Sequence, residues 1–334
     1  MAMPRSKIVD PKITPFYHCM AKCVRGSYLC GKNLETKKDY SHRKQWIEDK
    51  INFLTEIFAI QVCAYAVMSN HYHLVLFIDL DEALSWDQKT VIHRWEQLFP
   101  DDAKKYIHLP PEEQQEKIQL WRNRLMSLSW FMRCLNEDIA RRANEEDSCL
   151  GRFWAGRFKS QALLDDEALL TTMVYVDLNP IRAGIAEIPE FSDFTSIKER
   201  MLFARKELDS NPDSKNNSDI KWDEMNHPKT LMSFISRPEK RSNNSIPCTF
   251  SEYLALVDYT SRIQRDDKIG FVQEHLPDIF NRLTVNHQAW NQFYKSISSF
   301  SYAIGRFQSL KEFGNSFRKR ALKGSALAKN FYST

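Results

Sequence analysis

Two periods of apolar residues alternate along the first two hundred positions. Residues 14–24 alternate in the manner of a strand, ending near Arg25-Gly26. Within residues 41–58, the apolar positions Trp46, Ile47, Ile51, Leu54, Ile57 and Phe58 form a helical stripe behind a polar start. Residues 59–67 then predict a buried strand and 71–78 another, with Met68-Ser69-Asn70-His71 as a tight hairpin connection. From about 86 to 147 the period is helical, in three pieces (87–99, 111–125 and 127–144), with Pro110-Pro111 breaking the first two. A short strand at 158–164 follows. Asp165-Asp166-Glu167 then places negative charge at the start of a helix running to Leu178, and Asn179-Pro180 ends or kinks it. This order predicts an α+β fold, a ferredoxin-like antiparallel sheet with helices and a helical insertion at about 86–147.

Near residue 207 the composition shifts. DSNPDSKNNSD and SRPEKRSNNSIP are rich in Ser, Asn and charge, so residues 206–249 are expected to form a polar linker. Helical periodicity returns at 250–263, 268–280, 289–303 and 309–322. The expected organisation is therefore one larger domain over 1–205 and a smaller α-helical C-terminal domain over 250–334.

Composition narrows the function classes only modestly. The 334 residues are 43% hydrophobic and 27% charged, ordinary values for a soluble globular protein. No apolar run approaches a membrane span, and the first residues lack a secretory signal pattern, so a cytoplasmic location is expected. The seven cysteines are odd in number and include no CxxC pair, which argues against a zinc ribbon or a disulfide framework. Net charge is +4, compatible with nucleic-acid binding without demanding it.

Two constellations can carry chemistry. His71 and His73, two apart on a strand, project from one sheet face, which suits two nitrogen ligands on a divalent metal, while Tyr72 turns to the opposite layer. Tyr175 and Asn179 lie one helical turn apart and share a face, so a phenol nucleophile and an amide oxygen can meet there. Each has a plainer reading as well: satisfied structural histidines, and a core tyrosine followed by a helix cap. Chemistry links them. Attack of a phenol on a DNA phosphodiester requires charge neutralisation at the phosphate, and a phenol of pKa near ~10 is a weak nucleophile unless positioned and polarised. Two imidazoles and an amide oxygen leave open positions on Mg²⁺ or Mn²⁺ for phosphate oxygens.

The segment AYAVMSNHYHLVLFI resembles the His-hydrophobic-His segment of the HUH nucleases. It takes the MSNHxH form of the insertion-sequence-200-like and REP-associated tyrosine transposases, although Tyr72 stands where an aliphatic is often found. GRFWAGRFKSQALLDDEALLTTMVYVDLNPIRAGIA is similar to that family's basic-aromatic strand, tyrosine helix and NPxRAG turn. The resemblance spans residues 15–195. It implies an HUH nuclease fold, His71 and His73 as metal ligands, Asn179 as a third ligand and Tyr175 as the nucleophile. The implied reaction cleaves single-stranded DNA to a 5′-phosphotyrosine and a free 3′-hydroxyl, then rejoins strands without ATP. It further implies a homodimer and DNA hairpins formed by palindromic repeats as the target.

Arg152, Trp154, Arg157 and Lys159 interleave cations with aromatics before the tyrosine helix and are candidate DNA contacts, as are Arg182, Lys22 and Arg25. An exposed charge ladder over a buried aromatic face explains the same run. Arg182 can equally cap its helix. Lone His18 reads as structural. Arg318-Lys319-Arg320 and Lys323 give the C-terminal region a basic end. Two other functions stay open: a DNA-hairpin-binding protein without cleavage, and a replication initiator or relaxase of the same chemistry. The absence of a helicase pattern favours the transposase.

Overall fold

The computed structural model describes residues 8–24, 29–32, 37–210, 223, 225–237, 239, 244–263, 287–316 and 322–331. Among the described residues, five strands form one sheet: β1 (Phe16–Lys22), β2 (Ile60–Val67), β3 (His71–Ile78), β4 (Lys159–Leu163) and β5 (Ala303–Ile304), in the order β2-β3-β1-β4-β5. β3 pairs antiparallel with both β2 and β1, and β1 pairs antiparallel with β4. β1 and β2 therefore run parallel with β3 between them, and α1 (Arg43–Ile57) makes the crossover. β2 and β3 are almost wholly buried, which is why their sequences read as near-continuous apolar runs: both sheet faces are covered. The fold is α+β with a mostly antiparallel sheet, as expected.

Five helices join β3 to β4: α2 (Leu80–Ser85), α3 (Gln88–Leu98), α4 (Pro100–Tyr106), α5 (Pro111–Leu125) and α6 (Leu128–Glu146). α6 packs against α1 on one sheet face. The others gather around Trp95, Trp121 and Trp130, whose rings lie 5.5 to 5.6 Å apart about Trp95. Asp102 accepts from both the Trp95 and Trp121 indoles, at 3.0 and 3.2 Å, so the aromatic nucleus carries no orphan donor there.

Arg43 ties α1 to the end of α6. Its fully buried guanidinium donates to Glu146 and Asp147 at 2.6 Å each and lies 4.1 Å from the Tyr40 ring centroid. Arg43→Ala is expected to lower unfolding free energy by about 2 kcal/mol, less than the roughly 3–5 kcal/mol of a fully buried pair, because both carboxylates keep access to water. Urea denaturation of the two proteins checks this, and an unchanged midpoint would refute it.

On the other sheet face lies α7 (Asp166–Asp177), followed by α8 (Asn179–Arg182) and α9 (Ser196–Ser210). Asp165 caps α7 by accepting from the Ala168 N–H at 3.0 Å. Nearly every α7 side chain is buried, the signature of a helix packed on all sides. The sheet covers one side. α10 (Phe250–Ile263) and α11 (His287–Ser296) cover the other. Tyr253 of α10 donates to Asp177 at 2.5 Å, and Ser196 Oγ and the Ile197 N–H reach the same carboxylate at 2.5 and 3.0 Å.

The C-terminal region therefore packs against α7 and extends the sheet. β5 pairs parallel with β4, and α12 (Phe307–Ser316) and α13 (Ser325–Phe331) follow it. Gly305 permits the close approach: a Cβ there would stand 2.8 Å from Asp165 Oδ2 and 2.9 Å from Leu164 Cβ. Of the stretch expected to be a polar linker, Leu231, Met232, Phe234, Ile235, Ile246 and Cys248 are buried, and Leu231 bridges to Val62 of β2. Those short apolar runs are averaged out by the Ser- and Asn-rich residues flanking them. The expected helix at 268–280 lies outside the described residues. Among the described residues, no helix is long and apolar enough to cross a membrane.

Candidate active site

Residues directly opposite in an antiparallel pair share a sheet face. Met20 lies opposite His73, Lys22 opposite His71, and Lys159 and Gln161 of β4 opposite Met20 and His18. One face thus carries His18, Met20, Lys22, His71, His73, Lys159 and Gln161, and α7 packs over part of it. Tyr72 points the other way and donates to Asn136 Oδ1 of α6 at 2.8 Å.

α7 brings Tyr175 to this face. Its half-buried ring lies 5.9 Å from His73 and 6.4 Å from His18, centroid to centroid, in edge contacts of 85° and 74°. The Arg182 guanidinium sits 4.8 Å from the Tyr175 ring centroid and 5.9 Å from that of Tyr294. Arg182 is held there by a tight stop to α8. Gly184 takes φ +66°, and the Ile185 N–H donates to the Pro180 carbonyl at 2.8 Å. His73, His18, Tyr175 and Gln161 line an open cavity of about 730 Å³, whose wall also holds the exposed cations Arg157, Lys159 and Lys323.

The histidines are arranged as nitrogen donors. The rings of His71 and His73 lie 4.9 Å apart at 80°. His71 Nδ1 contacts Asn70 Oδ1 at 2.6 Å and His73 Nδ1 contacts His18 Nε2 at 2.9 Å, so Nε2 is the remaining nitrogen on each ligand candidate. Burial pushes His73 well below the ordinary histidine pKa, helped by His18, His71 and the positive charge of Arg182. Burial, with Lys22 nearby, lowers His71 as well. Both imidazoles are neutral at pH 7, the form that binds a metal.

Asn179 lies at the start of α8, and its amide nitrogen donates to the Tyr175 carbonyl at 3.2 Å, leaving Oδ1 as the oxygen that could ligate. Among the described residues, no hydrogen bond joins Asn179 to either histidine, and no group of three or more His, Cys, Asp or Glu side chains is placed to hold a metal. By donor type, two imidazole nitrogens and an amide oxygen are a set that Mn²⁺ or Mg²⁺ can accept, and the contacts described bring together the two imidazoles but not the Asn179 oxygen.

The other expected contacts separate. Arg157 and Lys159 face the cavity. Arg152 is exposed on the loop before β4. Trp154 turns to the opposite side of the sheet, donating to the Asn136 carbonyl at 2.8 Å and meeting Tyr72 edge-on. Arg25 and residues 318–320 lie outside the described residues. Three residues of the site were not legible as such: His18, which read as structural, Gln161 and Tyr294. His18 and Gln161 are polar residues at inward positions of apolar strands, and that mismatch was the available signal.

The buried histidines predict acid sensitivity. Burial lowers His18 to about 4, and His227 likewise to about 4. Between pH 6.5 and 4 the unfolded chain binds protons that the folded chain excludes, so stability falls as pH falls through that window. His18 alone contributes about 3 kcal/mol of this difference. Asp177, raised to about 6 by burial, acts with the opposite sign between pH 3.8 and 6, because its fold favours the protonated acid. Glu48, Glu82, Asp165 and Glu167, also raised by burial, act in the same sense as Asp177, and His71 and His73 in the same sense as His18. The His18 share is isolated by comparison: between pH 7.0 and 4.5 the wild type should lose about 2–3 kcal/mol more stability to urea than His18→Gln, and equal losses would contradict the assignment.

No family model matches the chain, and no curated protein does. Among solved structures, the chain is similar to a REP-associated tyrosine transposase bound to a REP hairpin, at 11% identity. That likeness covers 60% of this chain and 86% of the other, with a TM-score of 0.37.

Proposed function

We propose that this protein is a metal-dependent transposase of the single-tyrosine type that cleaves and rejoins single-stranded DNA. The observation that carries this reading is the placement of Tyr175 beside His73 and under Arg182, in a cavity rimmed by Arg157, Lys159 and Lys323. The motif resemblance over residues 15–195 supports the same chemistry.

His71 and His73 would hold Mg²⁺ or Mn²⁺, with Asn179 as the third ligand. The bound ion would supply charge neutralisation at the scissile phosphate. Tyr175 Oη attacks phosphorus and loses its proton, and the bond from phosphorus to the 3′ oxygen breaks. That oxygen takes up a proton and leaves as a 3′-hydroxyl, while the 5′-phosphate stays on the tyrosine. Attack of a 3′-hydroxyl on the phosphotyrosine reverses the exchange. One phosphodiester replaces another, so no ATP is consumed. Arg182 stabilises negative charge next to the phenol, and the rim cations hold the strand backbone. Hairpins formed by palindromic repeats are the proposed targets, and a homodimer the proposed working form.

The test incubates the purified protein with hairpin-bearing single-stranded DNA and Mn²⁺. A protein–DNA adduct that survives denaturation, and disappears with chelator, is the expected result. DNA binding without any adduct on every strand and metal offered would leave only a binding protein.

A further inference from the structure

A hydrogen-bonded relay runs from the C-terminal region to the metal-site candidate, and its direction can be read from one end. Gln161 Nε2 donates to the Phe300 carbonyl at 2.9 Å. A carbonyl can only accept, so this contact fixes which end of the amide is nitrogen. Gln161 Oε1 then faces His18 Nδ1 at 2.8 Å. An amide oxygen also only accepts, so His18 carries its proton on Nδ1. The Nε2 of neutral His18 is therefore an acceptor, and it lies 2.9 Å from His73 Nδ1. That short contact needs a donor, and His73 Nδ1–H is the one remaining. The ring geometry agrees. The two imidazoles are 12° from parallel with centroids 5.1 Å apart, close to the 2.9 Å contact plus two ring radii, so the nitrogens meet edge to edge nearly in plane.

We propose that Gln161 and His18 are positioning residues that lock His73 in the Nδ1–H tautomer, keeping the Nε2 lone pair for a divalent metal. The relay is ordered by a backbone carbonyl of the C-terminal region, which links that region to the chemistry of the sheet. Two competing arrangements are excluded by it. An inverted amide at Gln161 would set nitrogen against His18 and oxygen against the Phe300 carbonyl. A His73 protonated on Nε2 would leave two lone pairs facing each other across 2.9 Å. The metal-binding consequence rests on the function proposed above, whereas the tautomers themselves do not.

The experiment uses full-length, metal-free protein labelled with ¹⁵N-histidine, and long-range ¹H–¹⁵N spectra at pH 7.5. The expected result is a protonated Nδ1 and an unprotonated Nε2 on both His18 and His73. Gln161→Leu removes the orienting acceptor and should release His73 toward the Nε2–H form. It should also weaken Mn²⁺ binding by about 10- to 100-fold, followed by electron paramagnetic resonance of free Mn²⁺. A wild-type His73 protonated on Nε2 overturns the relay, as does a Gln161→Leu protein with unchanged tautomer and Mn²⁺ affinity. Should the wild-type tautomers be as expected and no Mn²⁺ bind, the relay stands and the metal-site reading falls.

Discussion

Tyr175→Phe is expected to abolish covalent capture of single-stranded DNA, with strand cleavage below about a thousandth of the wild-type rate. The substitution removes one oxygen and keeps the ring. The edge contacts with His73 and His18 and the stacking of Arg182 depend on that ring, so the fold and the cation-rimmed cavity should persist. DNA affinity should accordingly change less than twofold while adduct formation vanishes. That split separates a nucleophile from a packing residue. Denaturing gels of protein mixed with labelled DNA read the adduct, and gel shifts read the binding. An adduct that persists in the Phe variant would assign the nucleophile elsewhere. Loss of binding along with cleavage would point to a role in folding or DNA contact.

The second large effect is expected at His73. His73→Ala should remove Mn²⁺ binding and slow cleavage about a thousandfold, equivalent to about 4 kcal/mol of lost transition-state stabilisation. His73 is buried, its Nδ1 is engaged by His18, and its ring lies beside Tyr175, so it is the donor most closely joined to the nucleophile. Alanine also leaves His18 Nε2 without its donor, a structural cost that must be separated from metal loss. His71→Ala serves as the comparison. His71 is half-buried and makes its short contact to neighbouring Asn70, so its loss should weaken the metal with little effect on stability. Matching losses of cleavage in both variants, with stability reduced only in His73→Ala, would support the paired-ligand reading. Full metal-dependent cleavage by either variant would remove that residue from the ligand set.

Much of the core architecture was legible because its signals are local. The strands at Ile60–Val67 and His71–Ile78 are apolar runs of strand length around a short polar turn, and both ends fall close to the expected positions. The acidic start and proline-marked end of the Tyr175 helix are likewise local features. The pair at 71 and 73 shares a face by strand periodicity alone. His18 and Gln161 were not legible as partners because their meeting depends on register between β1, β3 and β4, which no single segment encodes. β5 is two residues long and has no period to detect. Its place in the sheet follows from tertiary packing, as does the burial of Leu231–Met232 within a polar stretch. Trp154 illustrates the reverse case. Its neighbours suggested a stacking platform, but strand parity and the Asn136 carbonyl turn its indole to the opposite layer.

The joining of β5 to β4 has a consequence for the order in which the molecule is made. Gln161 and the Phe300 carbonyl that orients it are 139 residues apart in the chain. On a ribosome, the histidine strands and the tyrosine helix emerge well before the residues that cover the helix and orient the relay. Contacts of such long sequence separation form late, because the loop they close must first be ordered. A nascent chain can thus hold every reactive side chain and still lack an ordered centre. The centre is ordered only when residues on both sides of that long loop are in place.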